Sequence, residues 1–328
     1  MMEKSEEAPL HWSQHKEQAA GYWQLKLLIV LFRSLPVFML RITAFLVGFF
    51  YFLFSKRGRT ESSRFLRNIA PFIEDPRLGK KCRSGFGPLR HIISFSLSMV
   101  EKLQSWGGKV SLDKIFFQDD DMGELNRRLE EGKGAFIIFS HLGNAMLLLG
   151  LLNRSRTEAS RKIQITTILD MKVNAHFSRM LNELNPQASL DIIAVDEVGS
   201  HTAILLEERI ASGGLVIVTG DRTSLGGKNF MNPLFGKEAP FPSGVFHLAS
   251  LMNAPVYFLF GLRQKDLSLK LKYNMHLHKS HLSFDCPRNE RLKRCSLLLE
   301  SFVQLLEKYC KEQPFQWYNF FDFWQEGA

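Results

Sequence analysis

The sequence predicts an α/β fold, with a mixed and mostly parallel sheet flanked by helices, on two observations. From about Ser111 onward, short runs rich in β-branched and aromatic residues alternate with longer stretches of helical period. The order of those runs, strand-like then helix-like in turn, calls for parallel strands joined by crossovers and covered by helices on both faces.

Taken in order, the expected strands are Gly134 to Phe139, Lys162 to Leu169, Leu190 to Val195, Gly214 to Thr219 and Pro255 to Leu262. The expected helices are Met122 to Glu131, Asn144 to Asn153, Val173 to Leu184, Ser200 to Ser212 and Gly244 to Asn253. Ser268 to Lys279 alternates Leu-Lys-Leu-Lys and reads as a half-exposed edge strand, and a long helix over Asn289 to Cys310 leads into an aromatic tail, Pro314 to Trp324. No internal repeat interrupts this order.

Ahead of that unit lies a different composition. Gln18 to Thr60 holds six basic residues (Lys26, Arg33, Arg41, Lys56, Arg57, Arg59), no Asp or Glu, and is otherwise dominated by Leu, Phe, Val and Ile. Its longest charge-free stretch, Ile42 to Phe54, is short of the ~20 residues a spanning helix needs; with Arg41 snorkelling it extends back to Ser34. A single crossing, an interfacial segment and a buried helical hairpin broken near Pro36 all fit; the cationic flank Lys56, Arg57 and Arg59, continued by Arg64 and Arg67, favours a membrane surface. The resulting division is a polar or disordered N-terminus (1–18), a helical membrane-associated region (19–110), the α/β unit (111–312) and the tail (313–328).

With 42 Lys plus Arg against 33 Asp plus Glu, the chain carries a net charge of +9, which favours anionic partners. Nucleic acid, which charge alone admits, is set aside because no nucleic-acid-binding module is recognisable. Cys82, Cys286, Cys295 and Cys310 have neither metal-site nor disulfide-framework spacing and read as reduced thiols on the cytosolic side; no metal is expected. The acidic start (Glu3, Glu6, Glu7) is unlike a secretory signal.

The sharpest local signal is Phe139-Ser140-His141-Leu142-Gly143-Asn144, a strand that ends in Ser-His and turns through Gly143 into a helix that Asn144 is placed to cap. Ligands of open α/β sheets bind beyond the carboxyl ends of the strands, so a histidine there faces a cleft, and the helix N-terminus beside it offers N–H groups to a developing oxyanion. A neutral imidazole in that position can take a proton from an attacking hydroxyl. The same pattern also fits a histidine that only caps or packs. Ser140 is a poor partner for His141, because neighbours on a strand point to opposite faces.

Ser140-His141-Leu142-Gly143-Asn144 resembles the block that opens the catalytic motif of the bacterial lipid A biosynthesis acyltransferases, relatives of the glycerolipid acyltransferases. Gly220-Asp221-Arg222 is similar to that family's second block. Phe235-Gly236-Lys237-Glu238-Ala239-Pro240-Phe241-Pro242-Ser243-Gly244 is similar to its third, continued by Leu248-Ala249 and Ala254-Pro255-Val256.

The resemblance implies a glycerolipid acyltransferase-like fold at the cytoplasmic face of the bacterial inner membrane. It implies an acyl donor on acyl carrier protein or coenzyme A, a hydroxyl of a membrane glycolipid or lipid-linked acceptor, and no cofactor. His141 would be the general base.

Where the family keeps a carboxylate, five residues after the histidine, this chain has Met146, a thioether that is a weak acceptor without charge. Either another acid orients the imidazole, with Asp221 preferred over Asp170, or histidine works alone, or the chain is a non-catalytic lipid-binding homologue. Arg222 is expected to hold an anionic group of donor or acceptor through its planar fork, or to tie a strand-end loop by a salt bridge. Lys228 and Lys237 extend a positive surface or are simply solvated. Phe241-Pro242-Ser243-Gly244 is expected to help form the substrate cleft without being catalytic, Pro242 fixing a stiff turn and Gly244 permitting close backbone approach, while Ser243 suits an N-cap; Gly143, Asn144, Arg222, Pro242 and Gly244 are the expected substrate-binding residues. The tail holds seven aromatics in ten residues from Phe315 to Trp324 and reads as a segment closing over the core. Its Asn319 and Asp322, in place of the family's usual His-Arg-Arg, resemble the subgroup found in aryl-polyene clusters, so the acceptor need not be lipid A.

Overall fold

The computed structural model describes residues 30, 32, 34–118, 121–152, 162–170, 183, 190–223, 227–268 and 270–324. The polar stretch 1–18 and nearly all of the helix expected over Val173 to Leu184 lie outside the described residues. Among the described residues the first named elements are the helices α1 (Val37–Phe54), α2 (Lys56–Ile69), α3 (Pro76–Arg83) and α4 (Gly87–Trp106). Then follow β1 (Ile115–Phe117), α5 (Asp121–Glu130), β2 (Ala135–Gly143), α6 (Ala145–Leu152), β3 (Ile165–Leu169), β4 (Leu190–Ala194), α7 (Ser200–Ala211) and β5 (Leu215–Thr219). The chain continues through β6 (Asn229–Leu234), β7 (Lys237–Pro242), α8 (Ser243–Leu251), β8 (Val256–Arg263), β9 (Tyr273–Lys279) and α9 (Arg288–Glu312).

Seven strands form one mixed sheet in the order β1-β9-β8-β2-β5-β3-β4. From β8 through β2, β5 and β3 to β4 all pairings are parallel, and only β9 turns back against β8, with β1 parallel to β9 beyond it. The α/β class with a mostly parallel sheet is therefore as the sequence predicts. Phe136, Ile138, Val216, Val218, Phe258 and Phe260 join the core that includes α8 and α9. Their neighbours Ile137, Phe139, Leu215, Ile217, Tyr257 and Leu259 join the core under α5 and α6. Successive residues thus bury opposite faces, which explains why these strands read as unbroken apolar runs.

One expectation is corrected. The segment expected as a half-exposed edge strand over Ser268 to Lys279 is β9, shorter and inside the sheet, with Tyr273, Met275 and Leu277 buried. The edge position belongs to β1, whose three residues are too few to carry a readable period. The Phe235 to Gly244 block is the turn and second strand of an antiparallel ribbon, β6–β7, leading into α8. Both turn residues, Phe235 and Gly236, take positive φ (51° and 71°), as tight primed hairpin turns require.

Helix α1 is long and apolar enough to cross a membrane, and most of it is bare: Phe38, Ile42, Phe45, Leu46, Val47, Phe50 and Phe54 are exposed. Its inner face packs on α4 through Leu40, Ala44 and Gly48, and a Cβ at Gly48 would lie 2.8 Å from Ser96 Oγ. The Arg59 guanidinium closes the end of α1 on the carbonyls of Phe52 and Leu53, and Ser55 Oγ accepts from the Gly58 N–H at 3.0 Å to start α2.

Arg41 does not snorkel. It turns inward, 94% buried, with its terminal nitrogen 3.8 Å from the Glu101 carboxylate. Glu101 also accepts from Tyr273 Oη at 2.5 Å and from the Arg263 guanidinium, all three side chains being essentially sealed from water. One carboxylate thereby links α1 and α4 to β8 and β9. Glu101→Ala leaves two buried guanidinium groups uncompensated, so urea unfolding should read a loss of about 3–5 kcal/mol; a loss below ~1 kcal/mol would remove this cluster from any structural role.

Candidate active site

Strand β2 runs in register with β5 up to the pair Phe139 and Thr219, and with β8 up to Phe139 and Leu259. Beyond Phe139 the pairing with β8 slips, resuming only at Gly143 opposite Gly261, so that four steps along β2 span two along β8. The excess residues bulge out, which is how a sheet re-aims side chains at its rim. Gly143 makes the return with φ +71°, and a Cβ there would lie 1.9 Å from the Gly261 carbonyl oxygen. Only glycine satisfies both conditions.

On this bulge sits His141. Its Nδ1 is 2.8 Å from Asp221 Oδ1, and its backbone N–H donates to Asp221 Oδ2 at 2.8 Å. Asp221 follows β5 at the same carboxyl edge and is completely buried; Trp317 in the tail donates its indole N–H to Oδ2 at 2.9 Å. Three N–H donors therefore surround one carboxylate. Burial pushes the Asp221 carboxyl up, but His141, Arg222 and the Trp317 N–H outweigh it and hold the group at about 2.

Since an ionised carboxylate only accepts, Nδ1 carries the proton and Nε2 holds the lone pair. Nε2 has no hydrogen-bond partner among the described residues, and the side chain is 38% exposed. Partial burial, then the charges of Arg222 and Lys102, depress the imidazole's proton affinity against the opposing pull of Asp221, so the ring is neutral at neutral pH. A neutral, oriented imidazole open to solvent is equipped to remove a proton.

Other expected site residues take different places. Asn144 does not cap α6 with its side chain: Nδ2 donates to the Ser98 carbonyl of α4 at 3.0 Å, Oδ1 is buried without a partner, and the backbone N–H is taken by Gly261 O at 2.6 Å. The Arg222 guanidinium is turned to the tail. One terminal nitrogen donates to Asn319 Oδ1 and the other to the Tyr318 carbonyl at 3.0 Å, and the guanidinium stacks 4.9 Å from the Phe321 ring centroid. These contacts tie the strand-end loop to the tail.

Pro242 occupies the N-cap position of α8, and Ser243 Oγ donates to the Lys228 carbonyl at 2.8 Å instead of capping. Gly244 is exposed, and a Cβ there would meet nothing within 4 Å, so no close approach demands it. Lys237 donates to Asn68 Oδ1 at 2.9 Å and lies over Trp324. Ser140 Oγ accepts from the Leu142 N–H at 3.1 Å and has no bond to His141. Met146 packs at the margin of the apolar core, and Asp170 lies just past β3. The four cysteines are free, and among the described residues no group of three or more His, Cys, Asp or Glu converges. No family model matches the chain, and no curated protein matches it.

Two residues of the site carried no signal in the sequence. Lys102 is half-buried on the α4 face that meets α6, between Ser98, which accepts from Asn144, and Ser105, which donates to the Leu147 carbonyl at 2.6 Å. Burial lowers its ammonium to about 8. Trp317 is the other, and its place is secured from α2 and α4. Because a carbonyl only accepts, His91 Nε2–H donates to the Trp317 carbonyl at 2.9 Å, and Nδ1 accepts from Ser62 Oγ at 2.9 Å.

Burial pulls His91 down from 6.5 to about 4. A depressed histidine contributes stability that is complete above pH 6.5 and lost as pH falls, because the unfolded chain takes the proton first. Urea unfolding between pH 6.5 and 4 should show a loss of about 3 kcal/mol from this residue. His91→Gln should flatten that part of the profile.

Proposed function

We propose that this protein transfers an acyl group from a thioester, on acyl carrier protein or coenzyme A, to a hydroxyl of a membrane glycolipid or lipid-linked acceptor. The observation that carries this reading is His141, held at Nδ1 by the buried Asp221 carboxylate with Nε2 open at the carboxyl edge of the sheet. Nε2 takes the acceptor's proton as its oxygen attacks the thioester carbonyl. The tetrahedral intermediate collapses with cleavage of the C–S bond, and the leaving thiolate recovers the proton from the imidazolium, giving ester and thiol. Lys102 and the first turn of α6 supply positive potential for the oxyanion. Asp221 stabilises the imidazolium, the part for which the resembled enzymes use a carboxylate at the position of Met146.

The bare face of α1 supports work at a bilayer surface, as do the exposed aromatics Phe54, Phe72 and Phe86 and the exposed cations Lys56, Arg64, Arg67, Arg77, Lys80, Lys81 and Arg83. An interfacial attachment suits α1 better than a crossing, because its other face is docked on α4. We place the protein at the cytoplasmic face of the bacterial inner membrane.

Full-length protein supplied with labelled acyl-thioesters and a bacterial lipid extract should form an acylated lipid. His141→Ala should abolish product, and Asp221→Asn should lower turnover by roughly 10²- to 10⁴-fold. Met146→Glu should bring no gain, since Nδ1 is already occupied by Asp221. Thioester loss without a lipid acceptor would point to a thioesterase, and lipid binding without turnover would overturn the enzyme reading. Replacing Phe45, Leu46, Phe49 and Phe50 with Gln should reduce flotation with anionic vesicles; unchanged flotation would sink the membrane assignment.

A further inference from the structure

The C-terminal segment does more in this geometry than cover apolar surface. Trp317 pairs with Leu142 in an antiparallel bridge immediately beside His141, at the point where β2 has lost its register with β8. Its indole N–H reaches Asp221 Oδ2. The next two residues, Tyr318 through its carbonyl and Asn319 through Oδ1, take both terminal nitrogens of Arg222. Three consecutive residues of the tail thus hold Asp221 and Arg222, neighbours that lie one glycine past β5.

The tail in turn is anchored on the N-terminal helices. His91 donates to the Trp317 carbonyl, Ser94 Oγ and Tyr318 Oη are 3.0 Å apart, and Arg64 forms a 2.7 Å ion pair with Asp322. Phe65 and Phe323 pack edge-on against the Trp317 ring with centroids 5.4 and 4.9 Å away. Nothing in pure packing requires the indole nitrogen to face a carboxylate. A buried Trp N–H has one bond to give, and here it goes to the acid that orients His141.

We infer that Trp317 is a positioning residue: its indole N–H fixes the Asp221 carboxylate in the orientation that keeps the proton on Nδ1 of His141 and the lone pair on Nε2. The catalytic consequence rests on the acyl-transfer reading; the effect on the imidazole does not. Without the indole donor, Oδ2 retains only the His141 backbone N–H. The carboxylate then swings more freely and carries more uncompensated charge, so it binds the imidazolium more strongly and the Nδ1–H less steadily. Arg222 and Lys102, the cations that act on His141, stay in place and oppose the change equally in both proteins.

The test is NMR of the full-length protein with ¹⁵N-labelled histidine, the His141 signals being assigned by their loss in His141→Gln. In Trp317→Phe the His141 titration should move to higher pH by roughly half a unit, and the Nδ1–H signal should exchange faster with water. If acyl transfer is the reaction, kcat should fall about tenfold at unchanged KM. Substituting the benzothiophene analogue of Trp at position 317 keeps the ring shape and removes only the donor, and should give the same shift even where Trp317→Phe fails to fold. Phe323→Leu, a packing change beside the same ring, should lower Tm and leave the His141 titration in place.

A wild-type titration in both position-317 variants, or an equal shift in Phe323→Leu, would overturn the inference. A shifted titration in a protein with no acyl-transfer activity would leave Trp317 as the positioning residue and reject the acyl-transfer reading instead.

Discussion

A carboxylate sealed from water must have its oxygens satisfied by donors, and at Asp221 that requirement organises the site. Its two oxygens take N–H groups from the His141 ring, the His141 backbone and the Trp317 indole. The donors come from β2 and from the tail, and the acceptor from the end of β5, so segments about 80 and 96 residues away in sequence meet on one group. The bulge in β2, the glycine return at 143 and the burial of the tail all serve to bring those donors within reach.

A second sealed carboxylate does the same for the outer layer. Glu101 takes Tyr273 Oη and the Arg263 guanidinium and faces Arg41, joining α1 and α4 to the antiparallel end of the sheet. Buried ion clusters contribute little to stability against an apolar alternative, but they penalise any arrangement in which one member is missing. Helix α1 is in this way held to the domain by charge on one side, while its other, apolar side stays bare. α4 then passes from this cluster to Ser98, Lys102 and Ser105, which meet the start of α6 beside His141.

Much of this is legible in the sequence alone. The strand residues announce themselves by β-branched runs, and the Ser-His-hydrophobic-Gly-Asn turn marks a strand end because Gly143 is needed where the chain reverses φ. Asp221 stood out as an acid placed just past a buried strand. Trp317 was invisible because a tail of seven aromatics hides which one spends its polar atom on the site. Lys102 was invisible because one lysine on an amphipathic helix carries no sign of what its face meets. Arg41 misled for a related reason: a cation within an apolar run looks the same whether it reaches for lipid headgroups or for a buried glutamate.

What the sequence determined by itself is what depends on local periodicity and on backbone sterics: the alternation of strands and helices, the parallel class of the sheet and the glycine return just after His141. Only the tertiary structure decided which acid holds the imidazole, where the Arg222 fork closes and which face of α1 is bare. Those outcomes rest on hydrogen bonds between segments distant along the chain. Their partners are selected by burial and register, quantities that no single segment encodes.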